Sequence, residues 1–132
     1  MNVAQLLAAL LHVFESCRLT AYPDAGGIPT IGWGHTAGVK LGDTCTREQA
    51  DAWLAEDAAP LLELVKDEPL VAAAAWASFG YNCGRHSLEL ALAGKVDMLQ
   101  YVHNRYGNVL AGLESRRQLE HALIVSVSPV SA

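Results

Sequence analysis

Glu15-Ser-Cys-Arg-Leu-Thr-Ala-Tyr-Pro-Asp24-Ala-Gly-Gly-Ile-Pro-Thr30-Ile-Gly-Trp-Gly-His35-Thr36 is the stretch from which the fold of this chain can be read. Upstream of it, Val3, Leu6, Leu7, Leu10, Val13, Phe14 and Cys17 fall at helical spacing and predict an amphipathic helix over about residues 2–17. Gln5, His12 and Glu15 lie off that stripe. Downstream the character changes: residues 19–44 hold six Gly, two Pro and several β-branched residues. Glycine permits the positive φ that reversing strands need, so this region predicts short strands and tight turns. Glu15 therefore stands at a helix end, Asp24 on a turn, and Thr30 at the entry to a Gly-rich strand.

Beyond the hairpin the chain reads as helical. Thr46-Arg-Glu-Gln49 fits a capping box, opening a helix that Pro60 is expected to end or kink. Val71 to Tyr81 is Ala-rich, with Trp76 and Phe79, and predicts a buried central helix closed by Gly84. Further helices fit 87–93, 96–105 and 113–124, separated by Gly94, Gly107 and Gly112. Residues 125–132 carry no period and read as a fraying tail. The expected architecture is α+β in one domain over residues 1–132. A strand-rich lobe at about 18–45 is inserted after the first helix, and 1–17 with 46–124 form the larger helical lobe.

Composition narrows the function. An apolar share of 52% with 17% charged residues supports a packed core. A net charge of −5 argues against strong sequence-independent binding to nucleic acid. The acidity is local: residues 48–70 hold seven Asp and Glu against one Lys, which reads as a solvated helix face. Cys17, Cys45 and Cys83 are an odd number without CxxC spacing, so free thiols, small apolar packing roles and a reducing compartment are expected. No cluster has metal-ligand spacing. The apolar run Val3 to Leu11 is too short for a membrane span and lacks the basic start of an export signal, so neither an anchor nor a leader is expected.

Glycoside hydrolysis needs one carboxyl that carries a proton and another that is ionised. Glu15, beside Val13 and Phe14, has the apolar setting of an acid. Asp24, in a turn rich in N–H donors, has the setting of a base. Spacing alone leaves other roles open: Glu15 also suits pairing with Arg18 at i,i+3, and Asp24 an ordinary Asx-turn.

The segment resembles the active-site signature of the phage-type lysozymes (endolysins, glycoside hydrolase family 24). In that family a Glu is followed nine positions later by Asp, and six later by a Thr inside T-I-G-aromatic-G-H-T. Glu15, Asp24 and Thr30-Ile-Gly-Trp-Gly-His-Thr36 keep each spacing. Thr46 to Asp57 resembles the family's helix after the hairpin, Ser78-Phe-Gly-Tyr-Asn82-Cys-Gly84 its S-F-x-[FY]-N-x-G element, and Gly112-Leu-Glu-Ser-Arg116-Arg117-Gln-Leu-Glu120 its closing G-L-x-x-R-R-x-x-E. The resemblance implies a lysozyme-like fold with a cleft between the two lobes. It implies an inverting muramidase acting on peptidoglycan, with Glu15 as the acid and Asp24 and Thr30 holding the attacking water. His35 is expected to orient the hairpin or a nearby carboxylate. Asn82, Trp33, Arg116 and Arg117 are candidate substrate contacts, the arginines also being candidates for ion pairs with Glu15, Glu120 or Glu114. No metal or organic cofactor is implied.

The chain departs from the family pattern after Gly84, where the connector is several residues shorter, and before Gly107, where Tyr101-Val-His replaces an expected Trp. The alternatives to hydrolysis are a lytic transglycosylase using Glu15 alone, a catalytically idle wall-binding or phage structural module, and a hydrolase of chitin or chitosan. As a lysis enzyme the protein is expected to be a monomer that stays in the host cytoplasm until a holin-type pore releases it to the wall.

Overall fold

Asn2 starts the first helix with a reciprocal cap. Its Oδ1 accepts the Gln5 N–H at 2.8 Å, and the Gln5 side chain accepts the Asn2 N–H at 2.9 Å. In the computed structural model, which describes residues 1–104 and 106–127, this helix, α1, spans Val3–Phe14. It buries Leu7 and Leu11, while Val13, placed on the apolar stripe by its spacing, is 75% exposed. The helix stops short of the expected residue 17. Arg18 already pairs in a strand, so Glu15 leaves the helix with extended backbone and residues 15–17 lead the chain to the sheet.

β1 (Arg18–Pro23) and β2 (Pro29–Gly32) form an antiparallel pair with Tyr22 opposite Thr30 and an irregular step towards Arg18. The other edge of β1 is met by residues 43–45: the Ala21 N–H donates to the Asp43 carbonyl at 2.8 Å, and the Cys45 N–H to that of Leu19 at 2.9 Å. After β2 the chain reverses at once. Ile31 and His35 exchange backbone hydrogen bonds of 2.9 and 2.8 Å, closing a loop in which Gly32 and Gly34 stand at φ 64° and 99°. A side chain is strained in that left-handed region. Gly32 also lacks room, since a Cβ there would lie 3.1 Å from the Ala50 Cβ.

α2 (Arg47–Leu64) is capped by Thr46, whose hydroxyl accepts the Gln49 N–H at 3.1 Å. The helix runs through Pro60 instead of ending there. Proline removes one helix bond, yet Ala58, Leu61 and Val65 all bury against the core and hold the last turns in place.

α3 (Leu70–Cys83) is the central helix and slightly exceeds the expected 71–81. Ala72 to Ala75, Ala77, Ser78, Phe79 and Gly80 are all buried, because α3 packs against α1, α2, α4 (Arg85–Leu92) and α5 (Ala111–Ser126). Gly84, at φ 96°, turns the chain between α3 and α4. Gly94, at φ 72°, ends α4, where the Lys95 N–H returns to the Leu90 carbonyl at 2.9 Å.

Over the described residues 96–104 the helix expected for 96–105 is not formed. Asp97 caps a single 3₁₀ turn at Met98–Gln100. Asn104 Oδ1 then accepts the N–H groups of Tyr106 and Asn108 at 2.9 and 3.0 Å. This local side-chain bonding, with Gly107 at φ 82°, competes successfully with a weak helical period. α5 begins before Gly112 and includes Val125 and Ser126, so the expected tail starts later than 125; residues 128–132 lie outside the described residues. The described chain is thus α+β: one two-stranded antiparallel sheet set into a helical body.

Candidate active site

Glu15 is the first residue past α1. Its N–H still donates to the Leu11 carbonyl at 2.7 Å, but its backbone is extended at φ −106°, ψ 148°. The carboxyl keeps 25% of its side-chain exposure. Oε1 accepts a hydrogen bond from Arg116 Nη1 at 2.8 Å. Oε2 faces Gly34, where a Cβ would stand 3.9 Å from it. The expected apolar setting is not what the carboxyl meets. Val13 points to solvent, and the Phe14 ring carries the Arg116 guanidinium 4.6 Å from its centroid.

Asp24 and Thr30 come from the hairpin turn. Asp24 Oδ1 accepts the N–H groups of Gly26 and Ile28 at 2.8 and 2.9 Å, which fixes the carboxylate within its own loop. Thr30 is buried, and its hydroxyl donates to the Ile28 carbonyl at 2.9 Å. A hydroxyl has one hydrogen, so Thr30 Oγ1 meets any further partner as an acceptor.

Behind Glu15 lies a buried polar network. Arg116 also donates from Nε to Glu120 at 3.2 Å and from Nη2 to the Ser78 carbonyl at 3.0 Å. The Ser78 hydroxyl donates to Glu120 Oε2 at 2.5 Å. Arg117 is fully buried and bonds Glu120, Asn82 Oδ1 and the Tyr101 carbonyl. Burial pushes the Glu120 carboxyl above its ordinary range, with Arg117, Ser78 and Arg116 opposing. Burial likewise lowers Arg117, opposed by Glu120. With each polar group partnered, the network supports Glu15 without leaving an orphaned charge.

His35 Nδ1 lies 2.7 Å from Asp57 Oδ2, and its ring stacks on Trp53 at 4.5 Å. The carboxylate beside His35 is therefore Asp57, on α2. Trp33 does not line the cleft. Its indole is buried, donates to Asp51 Oδ1 at 2.8 Å, stacks on His12 at 4.1 Å and carries the Arg47 guanidinium at 4.6 Å. It is a packing residue at the seam between hairpin and helices. Arg117, also expected as a possible substrate contact, is walled off by its own partners, whereas Arg116 does reach the cleft through Glu15.

Glu15, Asp24 and Thr30 line one cavity of about 580 Å³, together with Tyr22, Tyr81 and Asn82. A second cavity of about 250 Å³ shares Gly34, Thr36 and Tyr81 with it and extends to Asp57 and Arg85. A third, of about 400 Å³, shares Glu15 and Asn82 and extends past Phe14 to Leu110 and Leu113. The shared linings make the three a continuous open groove with the two carboxyls in its middle section. Such a shape suits a linear polymer better than a small molecule, which a closed pocket would bury.

A model of the phage lysozyme family matches residues 12–120, from the end of α1 to Glu120. The chain belongs to the phage lysozyme family. It is 36% identical to the endolysin of Lactococcus phage c2 over 133 residues, covering 91% of this chain and 58% of that protein. It thus spans less than two thirds of that relative's length. Among solved structures, the endolysin from Escherichia coli O157:H7 phage FAHEc1 superposes with a TM-score of 0.75 at 27% identity, covering 98% of each chain. The muramidase domain of SpmX from Asticaccaulis excentricus gives a TM-score of 0.71 at 29% identity, covering 93% of this chain and 95% of that one.

In this phage lysozyme, three residues at the groove or behind it escaped the sequence reading: Tyr81 and Asp57 line it, and Ser78 is buried in the network behind Glu15. Ser78 and Tyr81 stand in the quoted Ser78–Gly84 element and Asp57 ends the Thr46–Asp57 string, so a signal was present. Their partners lie 42, 48 and 22 residues away in sequence, and no local spacing rule indicates what such groups meet.

Proposed function

We propose that this chain is an endolysin-type muramidase that hydrolyses the β-1,4 bond between N-acetylmuramic acid and N-acetylglucosamine. The observation that carries the reading is the convergence of Glu15, from the end of α1, with Asp24 and Thr30, from the hairpin, on one cavity within a continuous groove. Family membership and the endolysin and muramidase relatives support the same reaction. In this reading residues 1–127 work as one unit of two lobes, with the glycan lying along the groove.

Glu15 protonates the oxygen of the departing sugar. Thr30, its one hydrogen committed to Ile28, accepts a hydrogen bond from the attacking water. Asp24, with Oδ1 held by its loop, offers its other oxygen to the same water and takes its proton. Both of the water's hydrogens are then engaged, and an oxygen lone pair points at the anomeric carbon. Attack from the face opposite Glu15 inverts the configuration there. Arg116 orients Glu15, and His35 with Asp57 seats the hairpin on α2. Release to the wall through a holin-type pore, and action as a monomer, complete the proposal.

Digestion of purified peptidoglycan by wild type and Glu15→Gln, with muropeptide masses and the anomer first formed read by NMR, tests it. The expected result is hydrated reducing ends, initially of the α anomer, from wild type only. Anhydro ends would move the chain to the transglycosylases. Glycan binding without product would make it a binding module, and cleavage of chitin in place of peptidoglycan would change the substrate.

A further inference from the structure

The geometry points to Tyr81 as a positioning residue: its hydroxyl ties the Trp33–Gly34 peptide to α3 and so sets the separation of Glu15 from Thr30 and Asp24. The inference rests on the muramidase reading of the groove. Tyr81 lies on α3, on the helical side, and its hydroxyl donates to the Trp33 carbonyl of the hairpin loop at 2.8 Å. The peptide it holds is the one that abuts the acid. A Cβ on Gly34 would stand 3.9 Å from both the Tyr81 hydroxyl and Glu15 Oε2. The same loop is closed by the Ile31–His35 backbone bonds and follows directly on Thr30. Holding its tip therefore constrains the water-binding side relative to the acid.

The loop's other side-chain hydrogen bonds, Trp33 to Asp51 and His35 to Asp57, run to α2, and the Trp33 ring stacks on His12 of α1. The hydrogen bonds fix the loop against α2 and the stacking braces it against α1, whereas the Tyr81 bond reaches α3, which packs on both α1 and the Arg116-bearing α5. The Tyr81 ring also forms wall shared by two sections of the groove. A carbonyl only accepts, so the phenol must keep its proton to hold the loop. Burial, with the Asp57 and Glu15 carboxylates adding to it, pushes the phenol far above its ordinary range, and the bond persists across the working pH.

Tyr81→Phe removes the tie and keeps the ring. Steady-state cleavage of soluble peptidoglycan fragments is measured at a temperature where both proteins are fully folded, with amide hydrogen exchange at Ile31 and His35. The expected result is a fall in kcat of about 10-fold with KM within about 2-fold, since small misplacement of reacting groups acts on the chemical step. Exchange at Ile31 and His35 is expected to quicken. An unchanged kcat in the folded variant would reduce Tyr81 to a structural residue, and unchanged exchange would show that the bond does not hold the loop. A wild type that releases no product removes the muramidase reading and this proposal with it, whereas an active wild type beside an equally active variant removes this proposal alone.

Discussion

Asp51 shows how one hydrogen bond couples the hairpin to pH. The Trp33 indole N–H donates to it at 2.8 Å, and this bond, helped by Arg47 and His12, holds its carboxyl below the ordinary range. A depressed carboxyl stabilises the fold at pH above its unfolded value, and that contribution is lost as pH falls through the lower, folded value. Asp51→Asn is therefore expected to lower the melting temperature at pH 6 and to cost less towards pH 3. A deficit that stays constant between the two pH values would remove the linkage. At this scale Glu15, Asp24 and Thr30, singled out by the family resemblance, line one cavity because the helix end and one short hairpin bring them together. The Arg116 guanidinium on Glu15, 101 residues away, is one of several candidate pairings that the family resemblance offers, and it replaces the apolar setting that Val13 and Phe14 suggested.

Between elements, α4 lies close on α3 at Gly80. A Cβ there would come within 2.7 Å of Leu88 Cδ2, 3.1 Å of Leu61 Cδ2 and 3.2 Å of Leu88 Cβ, and Leu88 is fully buried. Alanine is favoured over glycine in a helix by about 1 kcal/mol, but overpacking costs about 1–3 kcal/mol, so the clash prevails. Gly80→Ala is expected to destabilise the protein in urea denaturation, with partial recovery in the double variant with Leu88→Val. Stabilisation by the single change would show that α4 shifts freely. The elements that were read correctly owe this to strong local signals: the glycines of the 31–35 loop, the Thr46 cap and the alanines of α3. Those misread were decided elsewhere. Burial of Leu61 and Val65 carries α2 past Pro60, where an end or a kink was expected, and after the 3₁₀ turn at Met98–Gln100 the Asn104 side chain organises a turn through Tyr106 and Asn108 in place of a helix.

Taken whole, the molecule is acidic, with a net charge of −5, while the wall polymer proposed as its substrate is anionic. Like charges repel over a distance that salt shortens, the screening length being about 10 Å at 0.1 M. The apparent KM on peptidoglycan is therefore expected to fall as ionic strength rises from about 0.01 to 0.15 M. A KM that rises with salt would mean that local cations such as Arg85, at one end of the groove, dominate encounter. The seam that joins the hairpin to the helices has an optical consequence. Trp33 and Trp53 both stack on imidazoles there, on His12 and His35, while Trp76 packs against the helical core. Two of the three indoles thus emit from beside a protonatable quencher that departs if the hairpin lifts, so the chain carries a native fluorescence gauge of how firmly its small lobe is seated.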